Sequence, residues 1–205
     1  MPSVLMVRHA LSVWNAQGRW QGQADPPLSE QGESQARAAA AAVGPVDLVV
    51  SSDLERARRT AAILASGVRH VTEPALREFD VGAWSGLTRA EIEVRWGEEL
   101  ALFDAGRLDA PPGGERRGDF EARVRDAAGR VSQLVSATGA ARTLVVSHGG
   151  VVRALARMQA WADRHVGHLS GYEAEVKGDG LVVLQPLDLL SGAPTAGELG
   201  GEVVF

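Results

Sequence analysis

The chain has 205 residues, 21 lysines and arginines against 26 aspartates and glutamates, a net charge near −5, and no cysteine. That length suits one folding unit with a sizeable core, and 45% hydrophobic against 23% charged residues excludes wholesale disorder. The lack of cysteine excludes disulfides, thiolate nucleophiles and Cys-ligated zinc, and fits a reducing compartment. Lys177 is the only lysine, so Schiff-base chemistry has one available position. The acidic excess argues against a broad nucleic-acid surface. No apolar run approaches membrane-spanning length, and Val4 to Val7 meets Arg8-His9 too early for a signal peptide. The expectation is a soluble cytoplasmic protein that engages neither nucleic acid nor membrane.

Ser3 to Val7 is short and β-branched and predicts a buried strand ending at Arg8-His9. Ala10 to Leu28 reads as irregular, since Gly18, Gly22 and Pro26-Pro27 break any period. Ser29 is an N-cap candidate, followed by Glu30 and Glu33, for a helix ending at Gly44-Pro45. Asp47 to Val50 predicts a second buried strand, Glu55 to Ala65 a helix, and Val68 to Thr72 a third strand. This alternation predicts an α/β fold, three-layer α/β/α with a mostly parallel central sheet. Beyond it, Leu87 to Trp96 is helix-like with Thr88 as cap, and Pro111 to Gly114 is a breaker. Glu115 to Ser136 is a long amphipathic helix with Phe120, Val124, Val131 and Leu134 near one face. Thr143 to Val146 is another buried strand, followed by Ser147-His148-Gly149-Gly150 and a helix from Val151 to about Trp161. Glu173 to Lys177 and Leu181 to Gln185 flank Gly178-Asp179-Gly180 as a hairpin. The Gly/Pro-rich tail after Pro186 has no assignable element. The expected organisation is a single domain over 1–205 with a short embedded cap at about 85–115.

His9 and His148 each follow a predicted strand. In an open α/β sheet the carboxyl ends of parallel strands share one edge, where ligands bind. One such histidine would more often be a hydrogen-bonded loop or core residue; two in equivalent positions point to function. Arg8 precedes His9, and Arg56 lies just after the second strand. A guanidinium offers a planar fork of donors suited to a phosphoryl group or carboxylate. Arg58 and Arg59 read instead as exposed helix cations. Glu78 follows the third strand and can bring a carboxylate to the same edge. Two arginines, two imidazoles and one carboxylate make a phosphoryl-transfer site.

These residues sit in segments that resemble one known family. Arg8-His9-Ala10-Leu11-Ser12-Val13-Trp14-Asn15 is similar to the R-H-G-x-[ST]-x-x-N opening of the histidine phosphatase superfamily, the phosphoglycerate-mutase-like proteins. Asp25 to Gly32 resembles its D-x-x-L-[ST]-x-x-G segment, and Ser52 to Ala61 its S-x-L-x-R-A-x-x-T-A segment. Leu76 to Gly86 resembles L-x-E-x-x-x-G-x-W-x-G, with Pro112 to Glu115 and Val146 to Gly150 completing the series. The resemblance implies that His9 is the nucleophile that becomes a phosphohistidine and that Arg8, Arg56 and His148 hold the phosphoryl group. It also implies Asn15, the Gly149 N–H, Ser12, Gln21 and Gly22 as further substrate-binding groups, and Glu78 as the acid/base. No metal and no cofactor are implied. Ala10 stands where the family usually has glycine, and Arg116 where a serine often follows G-G-E; Arg116 is expected at the surface.

Members resembling the mutases carry E-R-x-Y-G-x-L-x-G-x-N-K and a longer insertion. Here Glu78 to Thr88 has neither the Arg-x-Tyr nor the Asn-Lys, and the region from Leu87 to Pro111 is short. A mutase must retain its phosphorylated intermediate, and a short cap admits water, so a phosphomonoesterase acting on a small phosphorylated metabolite is expected. The alternatives are a phosphoglycerate mutase and an inactive phosphate-binding protein. Trp14, Trp20, Trp84 and Trp96 either pack the cap or stack on substrate, with packing preferred. His165 and His168 read as surface histidines rather than half a metal site. A free strand edge would allow a homodimer.

Overall fold

The computed structural model describes residues 1–162 and 164–191. In chain order they form β1 (Ser3–Arg8), α1 (Val13–Ala16), α2 (Glu30–Val43), β2 (Leu48–Ser51), α3 (Glu55–Leu64), β3 (His70–Thr72), α4 (Arg89–Asp104), α5 (Arg117–Thr138), β4 (Arg142–Ser147), α6 (Gly149–Met158), β5 (Ser170–Lys177) and β6 (Gly180–Asp188). The strands make one six-stranded sheet in the order β3-β2-β4-β1-β5-β6. The first four in that order run parallel, and β5 and β6 are antiparallel to their neighbours.

The central strands β1, β2 and β4 carry apolar, buried runs because both faces of the sheet are covered there. Side chains alternate between faces along a strand. Val4 and Met6 of β1 accordingly join one core with Val124, Val131 and Val135 of α5 and Val151, Val152 and Leu155 of α6. Leu5 and Val7 join the other, against Ala36, Ala39 and Val43 of α2 and Ala57, Ala61 and Leu64 of α3. The α/β fold with helices on both faces is thus present. Helix α2 starts where the cap signal placed it: Ser29 Oγ accepts from the Gly32 N–H at 3.0 Å. Gly32 itself is needed for close approach, since a Cβ there would stand 1.9 Å from the Leu11 carbonyl oxygen.

The structure departs from the sequence expectations in several elements. The stretch 10–28 is not wholly irregular: α1 is a four-residue helix with Ser12 and Asn15 as a capping box. So short an element has side-chain caps but no periodicity to read. Helix α4 does not end at Trp96; it continues to Asp104 through a non-helical Trp96 (φ −141°, ψ 43°) preceding Gly97. Helix α5 begins at Arg117, after Glu115 has been drawn away to pair with Arg123 at 2.8 Å. Helix α6 starts at Gly149, and β3 covers only His70–Thr72. Strand β5 starts at Ser170, and the hairpin turn is the pair Gly178-Asp179, with Lys177 opposite Gly180. The tail expectation falls mostly on 192–205, outside the described residues. Among the described residues, no helix is long and apolar enough to cross a membrane.

Candidate active site

Strands β1 and β4 are adjacent and parallel with Arg8 opposite Ser147, so the residues that follow them must emerge side by side. Those residues are His9 and His148, whose rings meet edge to face with centroids 5.2 Å apart. The alanine at position 10 is fully buried, and its N–H donates to Thr60 Oγ1 at 3.1 Å, tying the turn to α3. One of the imidazole nitrogens of His9, Nδ1, lies 2.7 Å from the Ala10 carbonyl oxygen. A carbonyl can only accept, so the Nδ1 atom carries the proton and Nε2 keeps its lone pair in the neutral ring. Arg56 Nε–H donates to that Nε2 at 3.2 Å.

Arg56 is completely buried, on the first turn of α3. Its other nitrogens donate to the Ala24 and Gly22 carbonyls at 2.7 and 2.8 Å. Asp25 supplies the cap that α3 lacks locally, accepting from the Glu55 N–H at 2.6 Å. The loop 22–25 and the helix therefore fix each other, with the guanidinium between them. Arg8 donates to the Val166 carbonyl at 2.9 Å. A Cβ on Gly149 would stand 3.4 Å from Arg8 Cδ, which places the first residue of α6 beside that side chain. The first N–H groups of a helix have no intrahelical acceptor, so this end attracts anions.

Glu78 is nearly buried, and its carboxylate is held at both oxygens, Oε1 by the Phe79 N–H at 2.8 Å and Oε2 by the Gly150 N–H at 3.0 Å. Its loop is braced by Arg123, which donates to the carbonyls of Ala75, Arg77 and Glu78 and to both oxygens of Glu115. The Pro112–Glu115 segment thus acts on the site through a partly buried ion pair. Arg123 and Thr60 were not singled out by sequence reasoning. Of the other expected site residues, Asn15 and Ser12 share the cap of α1. Ser12 is fully buried; its Oγ accepts from the Asn15 N–H at 3.1 Å and lies 2.7 Å from Gln21 Oε1. Ser12 and Gln21 therefore lock to each other, and Gly22 presents its carbonyl to Arg56.

Both ring nitrogens of His148 are buried without a hydrogen-bond partner among the described residues. Buried polar atoms are rarely left so, which marks His148 as prepared for a ligand oxygen. Burial, then Arg56, His148 and Arg8, hold the His9 pKa well below its usual value. Burial, then Arg56 and Arg8, do the same for His148. Both rings are therefore neutral at pH 7, the state in which an imidazole nitrogen can act as a nucleophile.

The histidine expected at the surface at position 168 is instead part-buried beside the site, its ring 6.0 Å from that of His9. Burial first, then Arg8 and His165, push its pKa down to about 2. The physical reason is the mixed sheet: β5 runs antiparallel to β1, so its entrance lies at the exit of β1. His165 is exposed, as expected. Arg58, Arg59 and Arg116 are likewise largely exposed, paired with Glu55, Glu33 and Asp109. Trp20 and Trp84 are buried and pack edge to face at 5.5 Å, in agreement with packing.

Three suppressed histidines make acid sensitivity an expected property. Each stays neutral when folded but titrates near 6.5 when unfolded. Below that pH the unfolded chain binds more protons, so stability is full above 6.5 and lost as pH falls. The slope is about 1.4 kcal/mol per pH unit for each histidine, roughly 4 for three. Glu33, held down to about 2 by Arg59 and Arg37, adds stability that is present above its unfolded value of 4.5 and is lost only as pH falls below it. Urea midpoints measured from pH 7.5 to 5.5 should fall steeply below 6.5; a flat profile would show the rings charged in the fold.

Comparison with known proteins agrees with this geometry. Residues 4–185 match the family model of the histidine phosphatase superfamily (branch 1). The chain is 36% identical over 163 residues to a 2,3-bisphosphoglycerate-dependent phosphoglycerate mutase of Azorhizobium caulinodans, covering 74% of this chain and 78% of the other. It is 38% identical over 164 residues to a glucosyl-3-phosphoglycerate phosphatase of Mycobacterium tuberculosis, covering 74% and 72%. A solved structure of mycobacterial glucosyl-3-phosphoglycerate phosphatase in complex with VO3 superposes with a TM-score of 0.73 at 33% identity, over 89% of this chain and 96% of that one. The chain belongs to the histidine phosphatase superfamily, branch 1.

Proposed function

We propose that this chain is a metal-independent phosphomonoester hydrolase that acts on a small phosphorylated metabolite through a phosphohistidine at His9. The observation that carries the reading is the orientation of His9, whose Nδ1–H is fixed on the Ala10 carbonyl so that Nε2 faces Arg56. Phosphomonoesters resist attack because their charged oxygens repel nucleophiles; fixed cations and donors remove that barrier. Arg8, Arg56, His148, Asn15 and the Gly149 N–H supply them here. In the first step His9 Nε2 bonds to phosphorus while the ester P–O bond breaks, its electron pair leaving on oxygen with a proton from Glu78. In the second, water attacks phosphorus, Glu78 takes its proton, and the P–N bond breaks to release orthophosphate and neutral His9.

The short segment 85–115 serves, in this reading, as a cap within one domain over 1–205, in a cytoplasmic protein. Its support is the pairing of Trp20 with the segment, N–H to the Leu87 carbonyl at 2.9 Å and carbonyl to the Gly86 N–H at 2.8 Å. A cap this short leaves water access to the phosphoenzyme, which favours hydrolysis over return of the phosphoryl group. The test uses chelator-treated protein with p-nitrophenyl phosphate and, separately, 3-phosphoglycerate with bisphosphoglycerate primer. Undiminished hydrolysis and negligible 2-phosphoglycerate are expected. Loss of hydrolysis with the chelator would contradict the metal-independent reading, and isomerisation as fast as hydrolysis would make the chain a mutase.

A further inference from the structure

His168 arrives at the site through a strained backbone. Leu169, fully buried, adopts φ 59°, a left-handed conformation unfavourable for a branched side chain. The strain is held on both sides: the Leu169 N–H donates to the Arg8 carbonyl at 3.0 Å, and its carbonyl accepts from Leu189 at 3.1 Å. Arg8 clasps the same segment from its side chain, through the Val166 carbonyl. An outlier beside a site is a reason to ask what it aims.

It aims an imidazole at Asn15. His168 Nε2 lies 3.2 Å from Asn15 Oδ1. An asparagine amide can be turned either way, so its orientation must be read from fixed donors. The Ser12 backbone N–H, which can only donate, is 3.4 Å from the same atom, so that atom is the oxygen. A neutral His168 therefore carries its proton on Nε2 and donates it to Oδ1. With the oxygen taken from two sides, the Nδ2 hydrogens are the donors this amide has left to offer an anion.

We infer that His168 is a positioning residue, which holds the Asn15 amide with its Nδ2 hydrogens available to the phosphoryl group. The inference rests on the phosphate-pocket reading above. A histidine suits the task because a charged ring beside Arg8 would add repulsion, whereas a neutral one donates a single, directed hydrogen bond.

Orthophosphate binding to the full chain, followed by calorimetry, tests this without turnover. His168→Ala and Asn15→Ala should each weaken orthophosphate about 10-fold, as for one hydrogen bond to a charged group. The double variant should lose no more than about twofold beyond either single change, because the two act as one unit. His168→Gln, whose amide N–H can reach the same oxygen, should stay within about threefold of the wild type. Unchanged affinity in His168→Ala, additive losses in the double variant, or a folded His168→Gln with no rescue would each overturn the assignment. Should His168→Ala fail to fold, the Gln variant decides alone: retained affinity supports the coupling and lost affinity overturns it. A wild type that does not bind orthophosphate would remove the phosphate-pocket reading itself, whereas binding with additive losses removes His168 only.

Discussion

Replacing His9 with alanine is expected to lower kcat/KM for phosphomonoesters by at least about 10³-fold while leaving orthophosphate bound. The nucleophile is the one group whose loss forces water to attack the dianion directly. The remaining cradle of Arg8, Arg56, His148 and Gly149 still offers its donors, so binding and catalysis should separate. Arg56 also loses the acceptor of its Nε–H. That bond masks the lone pair at rest, and an arriving phosphoryl group competes for the same guanidinium, which unmasks it. Turnover in His9→Ala within about 10-fold of the wild type would assign the nucleophile elsewhere.

Glu78→Gln and Arg56→Ala should fail in different ways. A nitrophenolate leaves without help, whereas an alkoxide needs a proton as its bond breaks. Glu78→Gln should therefore reduce kcat/KM for an alkyl phosphate far more than for p-nitrophenyl phosphate. Arg56→Ala removes stabilisation common to both and should cost each about 10²-fold or more. Gly150→Ala reaches the same carboxylate from α6: a Cβ there would stand 2.2 Å from Glu78 Oε1, so the carboxyl must move. Its loss should show the leaving-group selectivity of Glu78→Gln in weaker form. Equal losses for both substrates in Glu78→Gln would remove the proton-donor role, and selective loss in Arg56→Ala would exchange the two.

The strand-end logic carried the core of the site. Each buried strand announces itself as an apolar run, and residues at the exits of adjacent parallel strands must meet, which is how His9 and His148 come together. The family segments also proved to have separate physical tasks. Asp25 caps a helix 30 residues away, Gly32 admits the Leu11 carbonyl, and Glu115 pairs with the arginine that braces the Glu78 loop. None of these tasks is visible locally, because the group each one finally serves is distant in sequence: Glu55 for Asp25, Leu11 for Gly32, and for Glu115 the 75–78 loop that Arg123 braces. His168 was misplaced for the same reason. The hairpin was legible, but its antiparallel pairing with β1 was not, and that pairing alone brings the entrance of β5 to the site. Ser12 and Asn15 look like substrate groups in a motif, yet their first duty is to cap a four-residue helix too short to leave a periodic signal.

A phosphohistidine mechanism requires a covalent bond between phosphorus and His9 Nε2. Mixing the wild-type chain with a labelled phosphomonoester, quenching within milliseconds and mapping the label by peptide sequencing under alkaline conditions measures that bond directly. The expected product is an acid-labile, base-stable phosphopeptide containing His9, modified at Nε2 and absent from His9→Ala. Label on His148 or His168 instead, or on none of the histidines at any quench time while His9→Ala still turns over, would contradict it.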